Sequence, residues 1–243
     1  MEQLKHSIQE LNEIISRYDN IVFFGGAGVS TESGIPDFRS VDGLYKEQYD
    51  YPPETIVSHS FYRAHPQEFY RFYKNKMLYP NALPNAAHRK LAELEARGKV
   101  QAVITQNIDG LHQAAGSKNV LELHGSALRN YCENCKTFYG MDTILNSEAV
   151  PLCCKCNGPI KPDVVLYEEG LDDNILHSAI HYIHHAQVLI IGGTSLAVYP
   201  AAGLIDYFAG DKIVVINKTA TPRDSFADLL IQAPIGEVFE QIL

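Results

Sequence analysis

Cys132-x-x-Cys135 and Cys153-x-x-Cys156 form two pairs with residues 136–152 between them. A two-residue spacer lets each pair fold into a tight knuckle that offers two thiolates to one metal ion. Two such pairs at this distance predict a four-cysteine zinc site. With sulfur at all four tetrahedral positions no place is left for a water, so this zinc holds the fold and does no chemistry. Cys154 is a fifth cysteine beside a ligand. Cys153 is taken as the ligand because it keeps the two-residue spacer, and Cys154 is left as a free thiol.

The residues that could do chemistry sit elsewhere, directly after apolar runs. Ile21–Phe24 is followed by Gly25-Gly26-Ala27-Gly28-Val29-Ser30-Thr31, and Val100–Ile104 by Thr105-Gln106-Asn107-Ile108-Asp109. Val120–Leu123 is followed by His124-Gly125-Ser126, Val188–Ile191 by Gly192-Gly193-Thr194-Ser195, and Ile213–Ile216 by Asn217. In an open parallel sheet, ligands bind beyond the carboxyl ends of the strands. These runs would therefore deliver Gly, Ser, Thr, Asn, Asp and His to one edge. His124 is the natural proton acceptor among them, because an imidazole titrates near neutral pH. The Gly26-x-Gly28-x-x-Thr31 turn approaches a dinucleotide fingerprint with its third glycine replaced. Its glycines would let the backbone approach a pyrophosphate, and a following helix start would add N–H donors. The acidic residue expected about 20 positions on, after a second strand, is missing, so a hydride-transfer dehydrogenase fits poorly.

The elements that must hold these residues follow from periodicity. Leu4, Ile8, Leu11 and Ile15 mark one face of an opening amphipathic helix. Helices are expected around Phe69, Phe72 and Tyr73, over Ala86–Arg97 with a stop at Gly98, and over Ile175–His185. Strand character is expected to resume at Val164–Leu166, and Cys132–Cys156 reads as a turn-rich insert. Val188–Ile205 carries no charge, but its glycines and Pro200 break it into strand, turn and helix start, so it reads as buried core rather than a membrane span. Strands alternating with helices predict an α/β fold with a parallel sheet covered on both faces. His177, His181 and His184 share a helix face and read as solvated. Glu168 and Glu169 read as a solvated pair, and Tyr45, Tyr70 and Tyr73 as core or surface aromatics.

Composition bounds the function. The chain has 243 residues, 46% of them hydrophobic and 20% charged, with a net charge of −9. This is an ordinary globular chain, and its acidity argues against nucleic acid or anionic membrane as partners. The opening MEQLKHSIQELNEII shows charges every few residues and no apolar signal region. With five cysteines suited to metal or thiol chemistry, a cytoplasmic protein is expected.

GGAGVSTESGIPDFRS (Gly25–Ser40), TQNIDGLH (Thr105–His112), LHGS (Leu123–Ser126), the paired CxxC, GTSLAVYPA (Gly193–Ala201) and VINK (Val215–Lys218) together resemble the sirtuins, the NAD-dependent protein lysine deacylases. The resemblance covers about the whole chain and implies a catalytic core of the compact bacterial or archaeal type. It implies a Rossmann-like large domain from about 1–40, 85–127 and 164–243. A small domain would come from a helical insertion at 41–84 and a zinc insertion at 128–163. By the same resemblance, NAD would be bound by Ala27, Thr31, Phe38 and Arg39 of a cofactor loop, by Gln106, Ile108, Asp109 and His124 near ribose and nicotinamide, and by Thr194, Ser195, Asn217 and Ile235 near adenosine. His124 would be the general base, with Asn107 and Asp109 orienting nicotinamide and ribose. The partner would be an acetylated protein, and a monomer is the expected state.

Two departures bear on the substrate. Leu166-Tyr167-Glu168-Glu169 stands where the family often has Phe-Gly-Glu, in a segment that pairs with the substrate peptide as an added strand. After Gly43-Leu44-Tyr45, Gln48 occupies the position of an arginine with which some relatives hold acidic acyl groups, so acetyl and similar uncharged groups are expected. Two other readings use the same residues: an ADP-ribosyltransferase, and a non-catalytic NAD-sensing binder with a zinc knuckle.

Overall fold

The computed structural model describes residues 2–37 and 51–243. Phe38, Arg39, Tyr45 and Gln48, together with the start of the helical insertion, lie outside them. In chain order the regular helices and strands begin with α1 (Glu2–Arg17), β1 (Ile21–Gly25), α2 (Pro53–Ile56), α3 (His59–Ala64) and α4 (Pro66–Lys76). Next come α5 (Ala86–Ala96), β2 (Val100–Thr105), α6 (Leu111–Ala115), β3 (Val120–Glu122), β4 (Gly125–Cys132), β5 (Phe138–Tyr139) and α7 (Met141–Leu145). The chain ends through β6 (Ile160–Val164), α8 (Asp173–His185), β7 (Val188–Gly192), β8 (Lys212–Ile216), β9 (Leu229–Ile231) and α9 (Ile235–Phe239).

Six strands form a parallel sheet in the order β3-β2-β1-β7-β8-β9. Side chains of β1 alternate between its two faces, as pleating requires. Ile21 and Phe23 enter a core with α1, α5 and α9, whereas Val22 and Phe24 enter a second core with α8 and the 3-10 helix Ala201–Tyr207. Both faces are thus buried, which explains why β1, β7 and β8 read as unbroken apolar runs rather than alternating ones. The predicted face of α1 is the buried one, with Ile14 added to it. Asn85 caps the start of α5, and Gly98, with a φ of 74°, lies just past its end.

A second, antiparallel sheet has the order β5-β4-β6. Its β4 runs from the residue after His124 straight to Cys132. The strand expected at Val164–Leu166 is displaced: β6 ends at Val164 and pairs with β4, not with the parallel sheet. Gly125 makes this possible, since its φ is 74° and a Cβ there would overlap the carbonyl of Asp163. The helical insertion and the cysteine insertion share one core, in which Phe69, Tyr70 and Tyr73 pack with Cys132, Ile144, Cys153 and Ile160. Tyr70 and Tyr73 are core residues, and His177, His181 and His184 are exposed. No helix of the described residues is long and apolar enough to cross a membrane.

Two histidines that sequence reasoning passed over are fully enclosed. His88 of α5 and His112 of α6 are 0% and 1% exposed, with ring centroids 4.7 Å apart. Nε2 of His88 and both ring nitrogens of His112 have no hydrogen-bond partner among the described residues. Burial pulls the pKa of His88 down to about 4 and that of His112 down to about 3, so both rings stay neutral in the fold. The unfolded chain would take up these protons below the ordinary value of 6.5. Stability from this pair is therefore full above that pH and drains away as the pH falls from there toward the folded values. The urea midpoint is expected to be lower at about pH 5 than at about pH 7.5, and His112→Phe is expected to narrow the difference. An unchanged difference in that variant would contradict this assignment.

Candidate active site

The strand order reverses between β1 and β7: β2 and β3 lie to one side of β1, and β8 and β9 lie beyond β7. At such a switch point the loops leave in opposite directions and open a crevice. Here the two loops touch. Gly26 N–H donates to the Gly192 carbonyl at 3.2 Å, and Gly28 N–H donates to the Gly193 carbonyl at 2.8 Å. A Cβ on Gly28 would come within 2.8 Å of Gly193 Cα, and one on Gly26 within 2.8 Å of Thr194 Cβ. The two glycines thus also clear space for the opposing loop, and Gly28 lines the cleft. The helix expected after them is replaced by two 3-10 turns, Ala27–Val29 and Thr31–Ser33.

Ser30, between those turns, is 1% exposed and reaches the loop after β2. Its hydroxyl donates to Asp109 Oδ2 at 2.7 Å and accepts from Asn107 Nδ2 at 3.0 Å. The other Asp109 oxygen accepts from Leu111 N–H at 2.9 Å. Asn107 and Asp109 are thus held by one serine to which the sequence reading gave no role. Its burial is the reason: a small hydroxyl inside a Gly-rich turn leaves no pattern in the chain.

His124 follows β3 and is half-buried. Its Nδ1 lies 2.9 Å from the Gln106 carbonyl. A carbonyl only accepts, so Nδ1 carries the proton and Nε2 keeps its lone pair. Burial holds the His124 pKa below the ordinary imidazole value, opposed in part by the Gln106 hydrogen bond. The ring is accordingly a neutral base at neutral pH. Its own carbonyl accepts from Val165 N–H at 3.0 Å, which ties it to the segment after β6.

The loops after β7 and β8 complete the crevice. Asn217 spends both ends of its amide on Thr194: Oδ1 accepts from Thr194 N–H at 3.0 Å and Nδ2 donates to Thr194 O at 3.1 Å. Thr194 Oγ1 donates to Gln106 Oε1 at 3.2 Å and accepts from Leu196 N–H. Ser195 is exposed, and Ile235 is buried in the core beside Gly192. The predicted catalytic and cofactor residues that fall within the described part, from Ala27 and Thr31 to Asn217 and Ile235, all line one cleft of about 1080 Å³, and the four cysteines lie apart from it. Phe38 and Arg39 lie outside the described residues.

The far wall of that cleft is the segment Val165–Glu169. It is stitched to the helical insertion by Tyr167 N–H to Val57 O and His59 N–H to Tyr167 O, both at 3.0 Å. Glu168 and Glu169 are not the free solvated pair expected. Glu168 accepts from Ser60 N–H at 2.8 Å and from Ser60 Oγ at 2.9 Å. Glu169 lies 2.8 Å from His59 Nδ1, 3.2 Å from Lys161 Nζ and 2.9 Å from Leu166 N. Both carboxylates fix the wall, Glu168 by accepting from Ser60 in the first turn of α3 and Glu169 by accepting from Leu166 within the wall and pairing with His59 and Lys161.

The sulfurs of Cys132, Cys135, Cys153 and Cys156 all lie within 4.8 Å of one another, with Cys132–Cys156 at 3.4 Å and Cys135–Cys153 at 3.5 Å. Tetrahedral zinc with Zn–S of about 2.3 Å would need sulfurs about 3.8 Å apart, so the donor set fits that ion closely. Cys154 is exposed and outside the cluster, its sulfur 3.3 Å from Tyr139 Oη.

Residues 26–200 match the Sir2 family. An NAD-dependent protein deacetylase from Clostridium perfringens is 61% identical over 97% of this chain and 98% of its own length. A protein of the same description from Clostridium acetobutylicum is 55% identical over 99% of each. Among solved structures, a Sir2–p53 peptide–NAD+ complex superposes with a TM-score of 0.85 at 41% identity over 96% of each chain. A Sir2 bound to acetylated peptide gives 0.85 at 38% over the same share. The chain belongs to the Sir2 family.

Proposed function

We propose that the protein removes acetyl groups from lysine side chains of other proteins with NAD as co-substrate, releasing nicotinamide and O-acetyl-ADP-ribose. The observation that carries this reading is the placement of His124: it lines the cleft with Nδ1 on the Gln106 carbonyl, which leaves Nε2 to accept, and burial lowers its pKa and favours the neutral ring. The deacetylase relatives and the Sir2 complexes with NAD and acetylated peptide support it.

The residues present suit NAD. Gln106 lines the cleft, and its Nε2 is a buried donor with no partner among the described residues. An orphan donor of this kind is costly unless a ligand oxygen meets it, and a ribose hydroxyl would. NAD, when bound, supplies an activated ribose carbon from which nicotinamide departs and to which the acyl oxygen adds. The protein's share is to place and deprotonate. His124 Nε2 would accept a proton from a ribose hydroxyl, a contribution of about 10²–10⁴-fold in rate. Asn107 and Asp109, locked by Ser30, would orient the ribose and nicotinamide. Ala27 and Thr31, with Phe38 and Arg39, would border the cofactor, as would Ile108, and Thr194, Ser195, Asn217 and Ile235 would flank adenosine. Because the Asn217 amide is committed to Thr194, its part would be to shape the loop. The acetylated peptide would add as a strand beside Val165–Tyr167. The reading further assigns a cytoplasmic monomer that keeps its thiols reduced.

We also assign one structural zinc to Cys132, Cys135, Cys153 and Cys156. Two of these, Cys132 and Cys153, are buried in the core shared by the two insertions, so the metal would fix the peptide wall indirectly.

Mass spectrometry of an acetyl-lysine peptide incubated with the protein tests the main reading. Loss of acetyl is expected only with NAD present, and His124→Ala should lower turnover at least about 100-fold while melting within a few degrees of wild type. Near-normal turnover in that variant would remove His124 from the mechanism. Label from NAD retained on protein would favour ADP-ribosyl transfer instead. For the metal, elemental analysis should give about one zinc per chain. Cys153→Ser should lose zinc and melt lower, and Cys154→Ser should change neither. Loss of zinc in the Cys154 variant would contradict the ligand assignment.

A further inference from the structure

The turns that carry Ala27, Ser30 and Thr31 are short, and something must hold them against the cleft. Ser30 is tied to Asp109 and Asn107 at one point, and Glu32 accepts from Gly236 N–H at 2.6 Å at another. Beside these and the Gly28–Gly193 bond, a further tie comes from outside the site. Asn85, at the start of α5, donates from Nδ2 to the Val29 carbonyl at 2.7 Å and to Ser33 Oγ at 3.0 Å. Its Oδ1 accepts from Ala87 N–H at 2.9 Å and from His88 N–H at 3.5 Å. Its backbone N–H donates to His88 Nδ1 at 3.2 Å, closing a capping box.

The two ends of this one amide do different work. Oδ1 serves the helix, as any N-cap side chain does. Nδ2 serves the loop, and its two acceptors bracket Ser30, Thr31 and Glu32, which face the cleft. Asn85, Val29 and Ser33 do not themselves line the cleft, whereas Ala27, Ser30 and Thr31 do. The anchor is also rigid from behind. His88 packs its ring on His112, and His112 lies on α6, which starts directly after Asp109-Gly110. The helix that holds the loop after β1 is thereby in contact with the helix that follows the loop after β2.

We propose that Asn85 is a positioning residue for NAD: through Val29 and Ser33 it fixes the loop that would cover the cofactor, without touching the cofactor itself. The inference rests on the function proposed above. It is separable from it because helix capping and loop anchoring use different atoms of Asn85. Asn85→Asp keeps an N-cap acceptor and loses the Nδ2 donor. Asn85→Ser also keeps an N-cap oxygen, is neutral, and cannot reach both loop acceptors.

Calorimetric titration of NAD into each full-length protein reads the cofactor directly, whether or not turnover occurs. Steady-state assays with the acetyl-lysine peptide then split the Michaelis constants. Both variants should melt within a few degrees of wild type and bind NAD roughly tenfold more weakly, the size expected for losing about two modest hydrogen bonds. The Michaelis constant for NAD should rise with it while that for the peptide stays put. NAD affinity within about twofold of wild type in Asn85→Ser would overturn the inference, as would a peptide constant that rises in step with that for NAD. Weakening in Asn85→Asp alone would do the same, since it would point to charge rather than anchoring. A wild-type protein that binds no NAD would overturn the proposed function first and this inference with it. Wild-type binding with unaltered variants would overturn the inference alone.

Discussion

The cleft depends on one contact of backbone against backbone, Gly28 N–H on the Gly193 carbonyl at 2.8 Å. The contact joins the loops of the two central strands where the sheet order reverses. A side chain on Gly26 or Gly28 would drive those loops apart. Both loops also meet the loop after β2 at the cleft floor. Thr194 lies near enough to bond Gln106, and Gln106 is the residue whose carbonyl sets the tautomer of His124. Ser30 lies near enough to hold Asn107 and Asp109. The polar groups of the site are mostly satisfied by one another, which is how a buried network becomes rigid rather than costly.

The second half of the arrangement couples His124 to the Val165–Glu169 wall of the cleft. Residues from the end of β3 through β4 and β6 form one continuous piece. Arg129 spans it, reaching Glu122 at 2.6 Å and Asp163 at 2.8 Å. Glu122 precedes His124 by two residues and is 6% exposed, and Asp163 precedes Val165, where the wall segment starts, by two residues. A buried carboxylate needs such a partner, since breaking the pair would strand its charge. The guanidinium fork therefore joins the segment that carries His124 to the Val165–Glu169 wall. The cysteine cluster and the helical insertion stabilise that wall from behind through their common core.

Much of this was legible in the chain. Ile21–Phe24, Val188–Ile191 and Ile213–Ile216 are continuous apolar runs because both sheet faces are covered, and the polar residues after them do converge. The spacing of the cysteines was enough to pick Cys153 over Cys154. What could not be read depends on contacts between distant residues. Val164 looks like any sheet residue, and only its pairing with Gly125 shows which sheet it joins. Leu229–Ile231 is too short to show a period. Glu168 and Glu169 look like surface charge until Ser60 and His59 are folded onto them. Ser30 and His112 lie inside motifs, yet their burial is a property of the assembled molecule.

The central claim is that this sheet edge holds a neutral imidazole against the sugar of NAD. A crystal structure of the protein with NAD and an acetyl-lysine peptide measures that most directly. The account predicts His124 Nε2 within hydrogen-bond reach, about 2.6–3.2 Å, of a ribose hydroxyl, with Nδ1 still on the Gln106 carbonyl. An imidazole turned from the ribose, or a sugar seated beyond its reach, would contradict it.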